Sequence, residues 1–347
     1  MKKIVVVDTA ASYGGAMTVL KDFHEAVKKS DKSVEWHFLL SGPYLEETEN
    51  IRIHVIPNVK SYPQRIYFDL HRGKKIIEEI DPDLVFCMQN TLVRGLKIPQ
   101  VLYVQQSIPF QETYNFSFLK KPELKIAVIQ NFLGALIKNS VKHADKVIVQ
   151  TKWMNRAVID QCHISPDMIS QVYPTTKDIV NRTDYVTTNR FFYPTSIEVY
   201  KNIPLIEQAC ERLDEDGIEY SCQITVNSTG KARGINYSGH ITLDEVYKNY
   251  EDACLVFPSF VEALGYPLLE ARSVGSIILA SDCNFSHELL DGYENVYFFD
   301  PFNADSLYQL MKKVALGEIK RKEITSVSPV GKDTWNEVIR ILKENLK

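Results

Sequence analysis

The sequence predicts an α/β protein of two Rossmann-like domains, each a doubly wound parallel sheet. Three observations predict it. Short apolar runs of strand length alternate with segments of helical periodicity along most of the chain, the pattern of a parallel sheet covered on both faces. That alternation stops at a polar, turn-rich stretch, Tyr173–Arg190, and then begins again. The length, 347 residues, suits two domains of ordinary size.

The first domain opens with a strand at Ile4–Asp8, a glycine-containing loop at Ala10–Gly15 and a helical segment at Met17–Val27. Gly14 and Gly15 sit where this loop enters the helix, but G-x-G-x-x-G is absent, so the loop is not a dinucleotide fingerprint. A tight turn that uses glycine's freedom at positive φ and a direct approach to ligand stand as equal readings. Further strands are expected at Glu35–Leu39, Ile53–Ile56, Leu84–Met88, Gln100–Val104 and Lys146–Gln150. Phe68–Ile80 is helical, and Asp81-Pro82-Asp83 ends it and opens the next strand. In the second domain strands are expected from Phe191–Tyr193 onward, near Cys222–Val226, Asn236–Gly239, Leu255–Pro258, Ile277–Ala280 and Tyr297–Phe299. Trp335, Val338, Ile339, Leu342 and Leu346 form one face of a last helix.

Composition narrows the class. The chain is 45% hydrophobic and 24% charged, with net charge −4, so no global basic character argues for nucleic acid. Its six cysteines are scattered without C-x-x-C, several of them in apolar runs, which fits reduced core residues of a cytosolic protein. The apolar run after the basic start MKK is too short for a signal sequence. No run approaches a transmembrane span, so any membrane contact is expected to be peripheral.

The most informative stretch is Val256–Asp282, VFPSFVEALGYPLLEARSVGSIILASD. It reads as strand, loop, helix, strand. Pro267 suits a first helical turn, where its missing N–H has no partner to lose. The N–H groups around Leu264–Leu268 would then point out of a helix N-terminus at the carboxyl end of a strand, a place that attracts phosphate. Glu262 precedes that helix and Glu270 lies inside it. A phosphate cradle with an acid on either side suits a sugar nucleotide.

The Glu-x7-Glu spacing of Glu262 and Glu270 is common on its own. Embedded in FPSFVEALGYPLLEA and followed by Ala-Ser-Asp, it resembles the signature of family 4 retaining glycosyltransferases, which have the GT-B fold. The resemblance implies two domains facing across a cleft. Residues 1–175 would bind the acceptor and residues 176–330 the nucleotide sugar, and a C-terminal helix at 331–347 would cross back to the first domain, anchored by Trp335. It implies that Glu262 contacts the donor sugar, that Glu270 binds the ribose, and that the loop Ala263, Leu264, Gly265, Tyr266 holds the diphosphate. Gly239 matches the family's glycine ahead of the helical Leu243–Tyr250. Lys201 lies where the family carries a lysine on the diphosphate, with charge suited to stabilising the leaving group.

The chain departs from the family in two places. A second basic or small polar residue is usual five or six positions before that lysine; here the position is Thr195 or Ser196, and the glycine before it is lost. A hydroxyl supplies no charge. Arg233, on the loop Ser228–Gly234, is the candidate replacement, and a solvated loop charge is an equal reading. The family also offers a histidine near the reacting sugar. Here Gln105 stands there with Gln106 beside it, and an amide cannot act as general base. Adjacent strand residues face opposite ways, so only one glutamine should face the cleft unless the strand has ended. Gly14 and Gly15 would line the acceptor side with them.

Phe116–His143 carries Lys120, Lys121, Lys125, Lys138, Lys142 and His143 among aromatic and aliphatic residues. A basic amphipathic stretch can lie on an anionic bilayer; an ordinary helix with solvated lysines has the same sequence.

The expected activity is retaining transfer of a sugar from a UDP- or GDP-sugar to a saccharide or lipid-linked acceptor. The resemblance points to surface polysaccharide assembly, without cofactor or metal. The expected location is the cytoplasm, extending to the inner face of the membrane. Two rivals remain: a sugar-nucleotide epimerase or hydrolase on the same scaffold, and a degenerate partner protein that binds without turnover.

Overall fold

The computed structural model describes residues 1–12, 14–173, 186–230, 232–325 and 334–346. Most of the expected linker, including Pro174, lies outside them.

The chain divides into two compact units. One contains Met1–Glu112, Leu124–Thr175 and Lys332–Lys347; the other contains Thr113–Glu123 and Thr176–Gly331. The first holds strands β1 (Lys2–Asp8), β2 (Val34–Leu40), β3 (Ile51–Val55), β4 (Leu84–Cys87), β5 (Gln100–Val104), β6 (Lys146–Val149) and β7 (Ile169–Gln171). They form one sheet in the order β3-β2-β1-β4-β5-β6-β7, every pairing parallel. The central strands are continuous apolar runs because both faces are covered. On one face Phe23, Trp36, Phe86 and Tyr103 pack with the helices α1 (Gly14–Lys29) and, numbered ahead of its turn in the chain, α12 (Thr334–Glu344). Trp335 of α12 lies 5.4 Å from the Phe23 ring and 5.9 Å from that of Tyr103.

The other face is covered by α3 (Gly73–Ile80), α5 (Gly134–His143) and α6 (Lys152–Cys162), with α2 (Tyr62–Tyr67) ahead of α3 and α4 (Lys121–Val128) ahead of α5. Single π-helical turns, Phe68–Arg72 and Ile129–Leu133, join α2 to α3 and α4 to α5. Asp81 ends α3 in the left-handed region, at φ 55°.

The second unit holds β8 (Arg190–Tyr193), β9 (Ser221–Ile224), β10 (Ile235–Tyr237), β11 (Cys254–Phe257), β12 (Ile278–Ser281) and β13 (Val296–Phe299). Their order is β10-β9-β8-β11-β12-β13, again parallel throughout. Its helices are α7 (Ile203–Glu215), α8 (Leu243–Asp252), α9 (Tyr266–Val274), α10 (Asn284–Leu290) and α11 (Ala304–Ala315). These are two doubly wound α/β units, as the sequence pattern predicts.

A division at 175/176 does not anticipate where Thr113–Glu123 goes. The segment joins the second unit through aromatic packing. Tyr114 stacks on Phe302 at 6.0 Å and meets Phe260 at 5.4 Å, while Phe116 stacks on Phe260 at 6.2 Å. All six cysteines are buried and unpaired. Among the described residues no helix is long and apolar enough to cross a membrane.

Candidate active site

In an open parallel sheet a ligand crevice forms at the carboxyl ends of the strands, where the chain order reverses. In the second unit the reversal falls between β8 and β11. The segments leaving these two strands carry Lys201 and Glu262, and the fold brings them together. Lys201 Nζ lies 2.5 Å from Glu262 Oε1, with both side chains largely buried. Asn202 makes this approach by adopting φ 56°, a left-handed conformation that asparagine tolerates. Tyr193, fully buried at the end of β8, donates its hydroxyl to Lys201 O at 2.9 Å. Ser259 donates to the same Glu262 oxygen at 2.7 Å. The carboxylate is thus held by a cation and a hydroxyl before any ligand arrives.

The loop after Glu262 enters α9 through Gly265, the N-cap, at φ 92° with no side-chain cap. A residue with a Cβ would be strained there and would stand 3.4 Å from Leu268 Cδ1. Pro267 occupies the first turn, as its chemistry predicts. Ala263, Leu264, Gly265 and Tyr266 therefore lead into a helix N-terminus, where oriented N–H groups favour an anion. Glu270 sits further along α9 and accepts a 2.9 Å hydrogen bond from the Tyr250 hydroxyl through Oε2. Gly239 takes φ 69°, and a Cβ there would meet Asn227 Oδ1 at 2.6 Å.

Ser196 is exposed on the loop leaving β8, on the same edge as Lys201. Arg233 is not on that edge. It directly precedes β10, so it lies at the amino ends of these parallel strands. Its N–H donates to Asp214 Oδ2 at 2.8 Å, and its Nη2 to Asp214 O at 3.4 Å, beside the C-terminal end of α7. Arg233 is therefore no second cation for this site. A loop charge in sequence does not reveal which end of a strand it flanks; the short distance to the following strand was the available signal.

In the first unit the chain order reverses between β1 and β4. Gly14 and Gly15 follow β1, Gly14 at φ 64°, and both face open space where a Cβ would go. Gln105 and Gln106 follow β5, which has already ended at Val104, so the opposite-faces rule does not apply to them. Asn90, at φ 69°, accepts both of their backbone N–H groups through Oδ1, at 2.6 and 2.8 Å. Gln105 Nε2 donates to Met88 O at 3.3 Å, and Gln106 Oε1 accepts from Ile108 N at 3.3 Å.

Beneath this edge lies a buried polar chain that sequence reading missed. Thr9 donates through N and Oγ1 to Gln89 Oε1 at 3.1 and 2.7 Å. Gln89 Nε2 donates to Asp69 Oδ1 at 2.6 Å, and Thr91 to Asp69 Oδ2 at 2.7 Å. Asp8, the last residue of β1, accepts from Ala11 N at 3.1 Å. Burial pushes the carboxyls of Asp8 and Asp69 up to about 7 against their hydrogen bonds and the charge of Arg65. A carboxylate ending an apolar strand was the one sequence signal for Asp8.

The stretch expected to be a basic amphipathic helix has apolar residues on two faces. Phe116 is buried in the aromatic cluster with Phe260, and Ile126, Ile129, Ile137 and Val141 are buried as well. Leu124, Val128, Phe132 and Leu136 are exposed, Phe132 at 68%. Among the described residues no group of three or more histidines, cysteines or carboxylates could hold a metal ion.

Residues 177–328 match the family described as glycosyl transferases group 1. The match lies within the second unit, and the chain has the GT-B fold. Solved structures with the same fold span nearly all of it. Sucrose-phosphate synthase from Thermosynechococcus elongatus has a TM-score of 0.68 and 12% identity, covering 99% of each chain. The apo lipopolysaccharide outer core galactosyltransferase WaaB has a TM-score of 0.62 and 16% identity, covering 99% of this chain and 95% of its own. Anabaena HepE, in complex with UDP and glucose, has a TM-score of 0.62 and 13% identity, covering 100% of both. No curated protein matches the sequence.

Proposed function

We propose that the protein moves a sugar from a nucleoside-diphosphate sugar to a saccharide or lipid-linked saccharide, with retention of configuration, in surface polysaccharide assembly. One observation carries this reading: Lys201, Glu262 and the N-terminus of α9 meet at the β8/β11 reversal, inside the segment that matches the family. A diphosphate is the ligand that needs an ammonium and a helix N-terminus side by side. Lys201 would leave Glu262 for the diphosphate and stabilise the charge that develops as the glycosidic bond breaks. Glu262 would then orient donor-sugar hydroxyls, and Glu270 would accept from the ribose. The C1–O bond to phosphate breaks on the face where the acceptor oxygen bonds to C1, and the acceptor's proton passes to the departing phosphate oxygen. That route needs no side-chain base, which suits the amides of Gln105 and Gln106 on the first unit, as it needs no metal or resident cofactor.

The complex of HepE with UDP and glucose supports a UDP-sugar donor, and the WaaB likeness supports a saccharide acceptor. The first unit would take the acceptor and the second the donor. Thermal shift tests the reading. One of UDP and GDP should raise the melting temperature of the wild type, and the shift should vanish in Glu270→Ala. A well-folded wild type that responds to no nucleotide or sugar nucleotide would favour the degenerate rival.

A cytoplasmic protein at the inner face of the membrane is part of the same proposal. The exposed row Leu124, Val128, Phe132 and Leu136, with Lys121 and Lys125 on the same helical run, supports contact with anionic lipid. Sedimentation with phosphatidylglycerol vesicles should fall in Phe132→Glu; equal sedimentation would remove this part.

A further inference from the structure

Tyr250 stands out among the buried polar groups around the site. It lies on α8, has no exposed surface, and packs edge-on against Phe192 at 5.5 Å and Tyr247 at 6.0 Å. A phenylalanine would fill the same space and spare the cost of burying a hydroxyl. The Tyr250 hydroxyl points at Glu270 and donates to Oε2 at 2.9 Å. The main-chain carbonyls of both residues also accept hydrogen bonds. Ser273 donates to Glu270 O at 2.6 Å, and the Ser276 hydroxyl donates to Tyr250 O. Burial, and then the Glu270 charge, holds the Tyr250 hydroxyl well above its ordinary range. Its proton is thus retained for donation to Glu270. A hydrogen bond from a rigid ring to one carboxylate oxygen restrains the plane and reach of the other.

We propose that Tyr250 is a positioning residue that sets the Glu270 carboxylate for the ribose diol, making the site selective for ribonucleoside over 2′-deoxyribonucleoside diphosphates. This rests on the donor reading of Glu270 given above. Tyr250 touches no substrate. It acts through Glu270.

The test is titration calorimetry on the full-length protein with UDP and 2′-deoxy-UDP, or the guanosine pair if GDP is the ligand. The wild type should prefer the ribonucleotide by roughly tenfold, the worth of one hydrogen bond to a charged group. Tyr250→Phe should lose most of that preference by weakening the ribonucleotide alone, with its unliganded melting temperature close to wild type. In a Glu270→Gln background the Tyr250→Phe change should add nothing. A Tyr250→Phe protein that keeps the wild-type ratio, or that loses both nucleotides equally, would overturn the positioning role and leave the donor site intact. A wild type that binds both nucleotides equally would overturn it too. A wild type that binds neither would overturn the donor reading as well.

Discussion

The two sheets end in different chemistry at their points of reversal. At β8/β11 the groups are charged and largely buried: an ammonium on a carboxylate, beside a helix N-terminus that begins at a glycine. In the first unit the half-buried amides of Gln105 and Gln106 follow β5, and the carboxyls of Asp8 and Asp69 are buried and shifted towards neutrality. The same architecture thus builds one site around an ion pair and one around amides above buried carboxyls that feel the charge of Arg65. On the proposed reading a diphosphate would take the first, and a sugar acceptor, which carries hydroxyls and no obligatory charge, the second.

The strongest way to break this contrast is at Lys201. Lys201→Ala should lower kcat by about 100- to 1000-fold, the usual loss when one electrostatic stabiliser of a leaving group is removed. Steady-state turnover of the sugar nucleotide reads it, and a loss under tenfold would deny the charged site its role. The buried carboxyls of the first unit sharpen the other half. Asp8 titrates near 3.8 when exposed and near 7 when folded, so the folded chain holds its proton more tightly. Stability from this group is full below about pH 4, and is lost as pH rises through about 7. The span corresponds to at most about 4 kcal/mol, at 1.36 kcal/mol per unit. Asp8→Asn, which keeps the acceptor for Ala11 N, should flatten the fall of the urea midpoint between pH 5 and 8; an unchanged slope would place the titration elsewhere. The smallest effect belongs to Gln105. Gln105→Ala removes a neutral hydrogen bond and should cost less than about tenfold in kcat/KM for acceptor, with nucleotide affinity unchanged. A loss as large as that of Lys201→Ala would erase the distinction between the two sites.

The strands were legible because both faces of each sheet are covered, which leaves unbroken apolar runs such as Ile4–Val7 and Leu84–Cys87. β7 was not, because Ile169–Gln171 is a short edge strand with two polar residues. Glu262 and Glu270 were legible because their whole setting, strand, loop and helix, is local in sequence. Lys201 needed the resemblance, since its partner lies 61 residues away. Asp69 and Gln89, 20 residues apart, and Tyr250 and Glu270, also 20 apart, carry no local pattern and become neighbours only through packing. Arg233 was misplaced because charge alone does not say which edge of a sheet a loop serves.

The segment Thr113–Glu123 has a consequence for modularity. It is threaded into the second unit by Tyr114 and Phe116, although both chain segments that flank it belong to the first. Exchanging second units between related chains at the linker would therefore tear an aromatic cluster in two. A folded chimera must carry residues 113–123 with the second unit and α12 with the first. Two genes fused at one junction cannot supply that. The two units of this chain are expected to have diverged together rather than by trading halves.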